Sequence, residues 1–185
     1  MLKIIGGERR GAKLQTLEGL RTRPLRGRVR ESLFSIIQFD LQGARVLDLF
    51  AGSGAVGLEA VSRGAARSVF VEADDSACGV IRNNVAKLRY EDRVDVVKGC
   101  LPEALDSIPP GDSSFDLVFM MPPYGLNLAR PVLEKLGDAD VLAEDAQVIV
   151  EIEREDALPF TEGQGWDVVK DRAYGVTRLL FLRRV

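Results

Sequence analysis

The sequence predicts an α/β protein: a mostly parallel sheet covered by helices on both faces, with an antiparallel pair of strands at its end. Three observations carry that expectation. Apolar strand-like runs alternate with segments of helical periodicity along most of the 185 residues, the pattern of a sheet buried on both sides. One stretch, Ala44 to Ala60 (ARVLDLFAGSGAVGLEA), joins a strand to a helix through a turn of small residues. The last twenty residues hold two short strands around Tyr174-Gly175, too close together for a crossover and therefore antiparallel.

Taken in order, Lys3–Ile5 is a short strand, Gly6-Gly7 a turn, and Lys13-Leu14 a second strand. Pro24 marks a boundary. Val29, Leu33, Phe34, Ile36 and Ile37 recur at helical spacing, so Arg28 to Phe39 is expected to be an amphipathic helix. Val46, Leu47 and Leu49 form the first core strand, and Ala55 to Arg63 the helix after it, closed by Gly64. Ser68 to Glu72 is the next strand, and Asp74, Asp75 and Ser76 offer N-cap chemistry for a helix bearing Val80, Ile81, Val85 and Leu88. Strands at Val94–Val97 and Phe115–Met120 precede a helix marked by Leu128, Val132, Leu133 and Leu136. Strands at Ala146–Val150, Trp166–Val169 and Arg178–Leu182 complete the chain.

Composition removes several classes of function. No apolar run reaches the roughly 18 residues that span a bilayer, and MLKIIGGERRG is too short and polar for a secretory signal. Two cysteines, Cys78 and Cys100, make neither a disulfide framework nor a zinc site, which fits a cytoplasmic protein. With no histidine, histidine-based triads and histidine-ligated metals are excluded, and no metal is expected. Charge is uneven. Residues 1–30 hold nine Lys or Arg against Glu8 and Glu18, a net of +7; with −3 overall, the other 155 residues sum to −10. A basic arm on an acidic body points to a polyanionic partner, RNA or DNA. The arm is expected to span residues 1–27, separable from a catalytic domain over 28–185, so that its deletion leaves small-molecule binding intact. Its phosphate contacts are expected at Arg9, Arg10, Arg23, Arg26, Arg28 and Arg30, the two helical residues ranked below Arg9 and Arg10.

In such sheets ligands bind beyond the C-terminal strand ends, and three of the first four ends carry chemistry. The first delivers Asp48 and the turn Ala51-Gly52-Ser53-Gly54, which brings backbone N–H groups of a helix N-terminus to a ligand. A buried Asp48 is costly unless paired, and a cationic ligand is its natural partner. The second ends at Glu72, twenty residues beyond Gly52, where a carboxylate can accept both hydroxyls of a ribose. The fourth ends at Met121-Pro122-Pro123-Tyr124. Gly52 to Gly57 also fits the dinucleotide fingerprint G-x-G-x-x-G, which leaves an NAD(P)-dependent oxidoreductase as the rival. Asp48 would repel a pyrophosphate there, and Pro-Pro-Tyr has no task in hydride transfer.

VLDLFAGSGAVGLEA resembles the first motif of class I, Rossmann-like S-adenosylmethionine-dependent methyltransferases, and FDLVFMMPPYG resembles their (Asp/Asn)-Pro-Pro-(Tyr/Phe) motif. IIGGERRGAKL, RTRPLRGRVRESLF and the late YGVTRLLF narrow the resemblance to the RsmD-like guanine-N2 methyltransferases of bacterial small-subunit (16S) ribosomal RNA. The resemblance covers essentially the whole chain. It implies a seven-stranded sheet with an antiparallel last strand and a cytoplasmic monomer acting on ribosomal RNA, free or within an assembling 30S particle. It further implies that Gly52 and Gly54, with Phe50 and Ala51, approach the methionine part of the cofactor. Asp48 would lie near its amino group, Glu72 and Ala73 at its ribose, and Cys100 and Leu101 at its adenine. Met121, Pro122, Pro123 and Tyr124 would form the catalytic motif. Met121 departs from the family's Asp or Asn and Cys100 from its common adenine-binding carboxylate or amide. A thioether is a weak, uncharged acceptor, so the departure implies reduced turnover, or a relative that binds cofactor and RNA without methylating.

Overall fold

The structure, a computed structural model, describes residues 1–17, 27–108, 114–161 and 165–185. Its centre is a seven-stranded sheet: β1 (Arg45–Leu49), β2 (Arg67–Glu72), β3 (Val94–Lys98), β4 (Phe115–Met120), β5 (Leu142–Glu153), β6 (Trp166–Tyr174) and β7 (Thr177–Arg184). The order is β3-β2-β1-β4-β5-β7-β6. β1 to β5 pair in parallel, and β7 is antiparallel to both its neighbours. The chain reverses direction from β1 between β2 and β4, so the strand-end crevice opens above β1. Helices α1 (Gly27–Ile36), α2 (Ala55–Ser62), α3 (Asp75–Leu88) and α4 (Ala129–Asp138) cover the sheet.

Side chains alternate between the two faces. Leu47, Leu49, Val118, Met120, Val148 and Val150 pack with α4 on one side. Val46, Leu117, Phe119, Ile149, Leu179 and Phe181 pack against Leu33, Phe34 and Ile37 on the other. α1 is shorter than its periodicity predicts: it ends at Ile36, and Phe39 lies outside it, 88% exposed. β5 is longer than the expected Ala146–Val150: it begins at Leu142 and takes in the exposed Glu144 and Asp145, an irregular segment where pairing with β4 shifts from Phe115↔Leu142 to Leu117↔Gln147.

Residues 1–17 are not a loose arm. Lys3 and Lys13 form an antiparallel bridge, and Ile4 and Leu14 are buried with Leu58, Phe70 and Ile81. The docking is polar as well. Fully buried Glu59 on α2 accepts from the backbone N–H of Ile5 and Gly6, both at 2.7 Å, and from Arg63 Nε at 2.7 Å. At the other end of the hairpin, Gln15 N donates to Asn84 Oδ1 at 2.7 Å, and Asn84 Nδ2 donates to the carbonyls of Gln15 and Ser53, both at 3.0 Å. Deleting residues 1–27 is therefore expected to uncover apolar core and to remove the Gln15 partners of Asn84, the residue that also bonds the glycine turn at Ser53.

Candidate active site

The strand-end turn is built by glycines with different tasks. Gly52 (φ +57°) and Gly54 (φ +75°) take backbone conformations that L side chains rarely adopt, and Phe50 (φ +60°) is drawn into the same region. Above Gly52 the space is open: a Cβ there would meet nothing within 4 Å. Gly57 serves packing instead, since a Cβ would lie 2.5 Å from Phe70 Cε1 and 2.8 Å from Ser68 Oγ. Its N–H donates to Asp48 Oδ2 at 2.9 Å, so the carboxylate ties β1 to the first turn of α2. Asp48 is 2% exposed, and burial pushes its carboxyl up to about 8, against the Gly57 N–H and with the charge of Glu72 adding to the rise.

Glu72 leaves β2 beside this turn. Its Oε2 accepts from Gly52 N at 2.7 Å, and its Oε1 from Ala73 N at 2.9 Å and Asp74 N at 3.0 Å. Asp74 caps α3, accepting from Ala77 N at 2.8 Å. Past β3, Gly99 N donates to the Glu72 carbonyl at 3.0 Å, with Cys100 exposed and Leu101 packed onto the core. The structure thus brings Asp48, Phe50, Ala51, Gly52, Gly54, Glu72, Ala73, Cys100 and Leu101 to adjoining strand ends. Asp48 lies under the turn rather than over it.

Met121-Pro122-Pro123-Tyr124 leaves β4 at the same end. Met121 continues the alternation of Leu117 and Phe119 and packs, half-buried, on the α1 face. Tyr124 is 37% exposed, but its hydroxyl is anchored: it donates to Glu151 Oε1 and lies 3.0 Å from Thr177 Oγ1. Burial, then the neighbouring Glu151, pushes the phenol well above its ordinary value. Glu151, 9% exposed, is also raised by burial, while the Tyr124 and Thr177 hydroxyls hold it down. Sequence reading missed Glu151 and Thr177. The signal was present, since Glu151 interrupts the apolar run VIVEI much as Asp48 interrupts VLDLF.

The basic residues divide. Arg28 is exposed near the start of α1. Arg30, expected at phosphate, is only 2% exposed, and its Nη2 donates to the Lys3 carbonyl at 2.6 Å, so it joins α1 to the hairpin instead. Arg9 and Arg10 lie at the hairpin tip, where Glu8 N donates to the Ser62 carbonyl at 2.8 Å and Arg9 N to Ser62 Oγ at 3.0 Å. Ser62 ends α2, which runs back from the glycine turn, so Arg9 and Arg10 sit at the opposite end of the sheet from Glu72 and Met121. Arg23 and Arg26 lie outside the described residues.

Comparison with known proteins accords with this geometry. The family described as conserved hypothetical protein 95 matches residues 2–183. Ribosomal RNA small subunit methyltransferase D of Escherichia coli is 34% identical over 174 residues, 94% of this chain and 85% of that protein. Its namesake from Haemophilus influenzae is 31% identical over 176 residues, 95% and 90% of the two chains. The solved structure of Escherichia coli yhhF superposes with a TM-score of 0.85 at 32% identity, covering 99% of this chain and 97% of that one. With this sheet order and these matches along its length, the chain belongs to the conserved hypothetical protein 95 family, the RsmD family of class I methyltransferases.

Proposed function

We propose that the protein transfers a methyl group from S-adenosylmethionine to the exocyclic N2 of a guanine in small-subunit ribosomal RNA. The observation that carries the reading is the meeting of Met121-Pro122-Pro123-Tyr124 with the open turn over Gly52 and the carboxylate of Glu72 at one end of the sheet. The residues fit the cofactor. A Cβ would fill the space over Gly52, Glu72 offers acceptors for a ribose, and Asp48 puts acidic character beneath a cationic ligand. When bound, the cofactor supplies a methyl group made electrophilic by its sulfonium. The chain's own task is to hold the amino nitrogen in line with that methyl, positioning that contributes ~7–11 kcal/mol. The Pro122 carbonyl is an acceptor for the amino group, and the Tyr124 ring is a platform for a flipped-out base, stacking being worth about 1–3 kcal/mol.

The relatives' names support RNA as substrate, and family membership, with Asp48 under the turn, favours methyl transfer over hydride transfer. On this reading the partner is small-subunit ribosomal RNA, free or in an assembling 30S particle, and the protein works as a cytoplasmic monomer. A second reading, binding of cofactor and RNA without turnover, is favoured by one observation: Met121 supplies no charged acceptor at the head of the motif. Tritium transfer from labelled cofactor into small-subunit RNA or subunits, followed by nucleoside analysis, decides between them, and label in N2-methylguanosine is expected. Glu72→Ala is expected to weaken cofactor binding by ~1.5–3 kcal/mol in isothermal titration. Binding of NADH in place of S-adenosylmethionine would overturn the reading.

A further inference from the structure

Met121 leaves the head of the Pro-Pro-Tyr motif without a carboxylate, yet a carboxylate stands on the next strand. The last parallel pair joining β4 to β5 is Met120↔Val150. One residue further on each strand are Met121 and Glu151, neighbours across the sheet. Alternation puts them on one face: Met121 follows Leu117 and Phe119, and Glu151 follows Ile149, all of one cluster. Thr177 comes to the same face from β7, two residues before Leu179 of that cluster, across the ladder in which Glu151 opposes Leu179. Glu151 is thus a nearly buried carboxylate beside the head of the motif. It is bonded to the motif's own Tyr124, and its second oxygen is not engaged by that bond.

A carboxylate is buried at a cost unless its partners and its task repay it. Two hydroxyls, those of Tyr124 and Thr177, favour its ionised form. Guanine presents two parallel donors, N1–H and N2–H, on one edge, which a carboxylate can accept together. We propose that Glu151 supplies from β5 the acceptor that position 121 lacks on β4, taking the hydrogen bond, and then the proton, of the target guanine amino group. The inference rests on the guanine-methylating reading above. As the new N–C bond forms and the S–C bond breaks, the electron pair of the broken bond stays on sulfur, and the nitrogen becomes positively charged. One of its two protons then passes to the Glu151 carboxylate and on to solvent, leaving a neutral methylamino group. Tyr124 serves in two ways, its ring under the base and its hydroxyl fixing the carboxylate at the edge of the base.

Single-turnover methylation with saturating cofactor and small-subunit RNA tests this, with RNA affinity and thermal melts measured on the same proteins. Glu151→Gln, nearly isosteric, is expected to lose on the order of 10²–10³-fold in rate, by analogy with removal of one preorganised partner, while RNA affinity and melting temperature are retained. Tyr124→Phe breaks the same hydrogen bond but keeps the ring and the carboxylate, and is expected to lose about tenfold or less. Adding Met121→Asp to Glu151→Gln should restore much of the rate, because the acceptor has moved one strand over. Equal losses in Glu151→Gln and Tyr124→Phe with no rescue would make Glu151 a mere anchor for the tyrosine and overturn the proposal. If Glu151→Gln does not fold, Met121→Asp alone decides: a gain of the full 10²–10³-fold would mean that the parent lacked an acceptor. Methylation of guanine by the parent with Glu151→Gln equally fast would sink the proposal and leave the proposed function standing. No transfer by the parent to any RNA would sink both.

Discussion

Asp48 holds a proton that it would have lost in an unfolded chain, and that difference can be measured. Burial raises its carboxyl from 3.8 to about 8. Between those values the folded protein binds more protons at this residue than the unfolded one. Stability contributed by Asp48 is therefore present below about pH 4 and falls as pH rises towards about 8, by up to ~1.4 kcal/mol per pH unit. The difference between parent and Asp48→Asn melts should follow that slope over this window, and a flat difference would mean the residue is ionised throughout. A cation bound over the turn draws the carboxyl back down. Cofactor binding near neutral pH is then expected to release up to one proton and to tighten as pH rises towards about 8, which titration in buffers of different ionisation enthalpy reads directly. This residue was legible in the sequence because a charge inside an apolar strand is conspicuous. Glu59 was not. Its helix reads as a uniformly small and apolar segment, and its partners, the N–H groups of Ile5 and Gly6, lie more than fifty residues away. Glu151 fell between the two cases: its run is apolar, but Tyr124 and Thr177 come from segments whose meeting depends on β7 entering between β5 and β6.

At the scale of the element, the strand–turn–helix unit divides its labour among glycines that look alike in sequence. Gly57→Ala should destabilise by about 1–3 kcal/mol from overpacking against Phe70, outweighing the ~1 kcal/mol that alanine gains in a helix. Gly52→Ala meets no atom but must take φ +57°, at ~1–2 kcal/mol, and its methyl group fills the space assigned to the cofactor. Thermal melts beside cofactor titration should therefore separate the two: both variants lose stability, but affinity falls more in Gly52→Ala. Equal loss of affinity in both would mean that the open space is not the cofactor's. The period of the apolar residues disclosed this unit and its neighbours, since each strand is short and bounded by turn residues. It did not disclose that α1 stops at Ile36 or that β5 reaches from Leu142 to Glu153. Those limits are set by packing and by a register shift, which no local pattern records.

Across the whole molecule, charge and topology together define how RNA would approach on the proposed reading. Exposed Asp40, Asp116 and Asp145, with the cation Arg183 among them, line a depression of about 340 Å³ at the N-terminal ends of the strands, a lining of net negative charge that disfavours phosphate. Arg28 stands near the start of α1, which runs towards that face from the end that holds Met121 and Glu72. Arg9 and Arg10 are set back by the length of α2, eight residues or about 12 Å. RNA engaged at Tyr124 therefore reaches Arg28 first, and reaches Arg9 and Arg10 only when it continues along the hairpin. Each lost phosphate contact removes ~1 from the slope of log affinity against log salt. Arg28→Ala should lower that slope for a short target stem and for whole small-subunit RNA alike. The pair Arg9→Ala and Arg10→Ala should lower it for the whole RNA and leave the stem unchanged. Because these are point substitutions on exposed side chains, the hairpin stays docked through Glu59 and cofactor affinity is retained, as deletion of residues 1–27 would not allow. Should the hairpin pair weaken stem binding as much as Arg28→Ala does, the RNA must cross the molecule along the α2 edge, and the acidic end of the sheet would no longer limit its path.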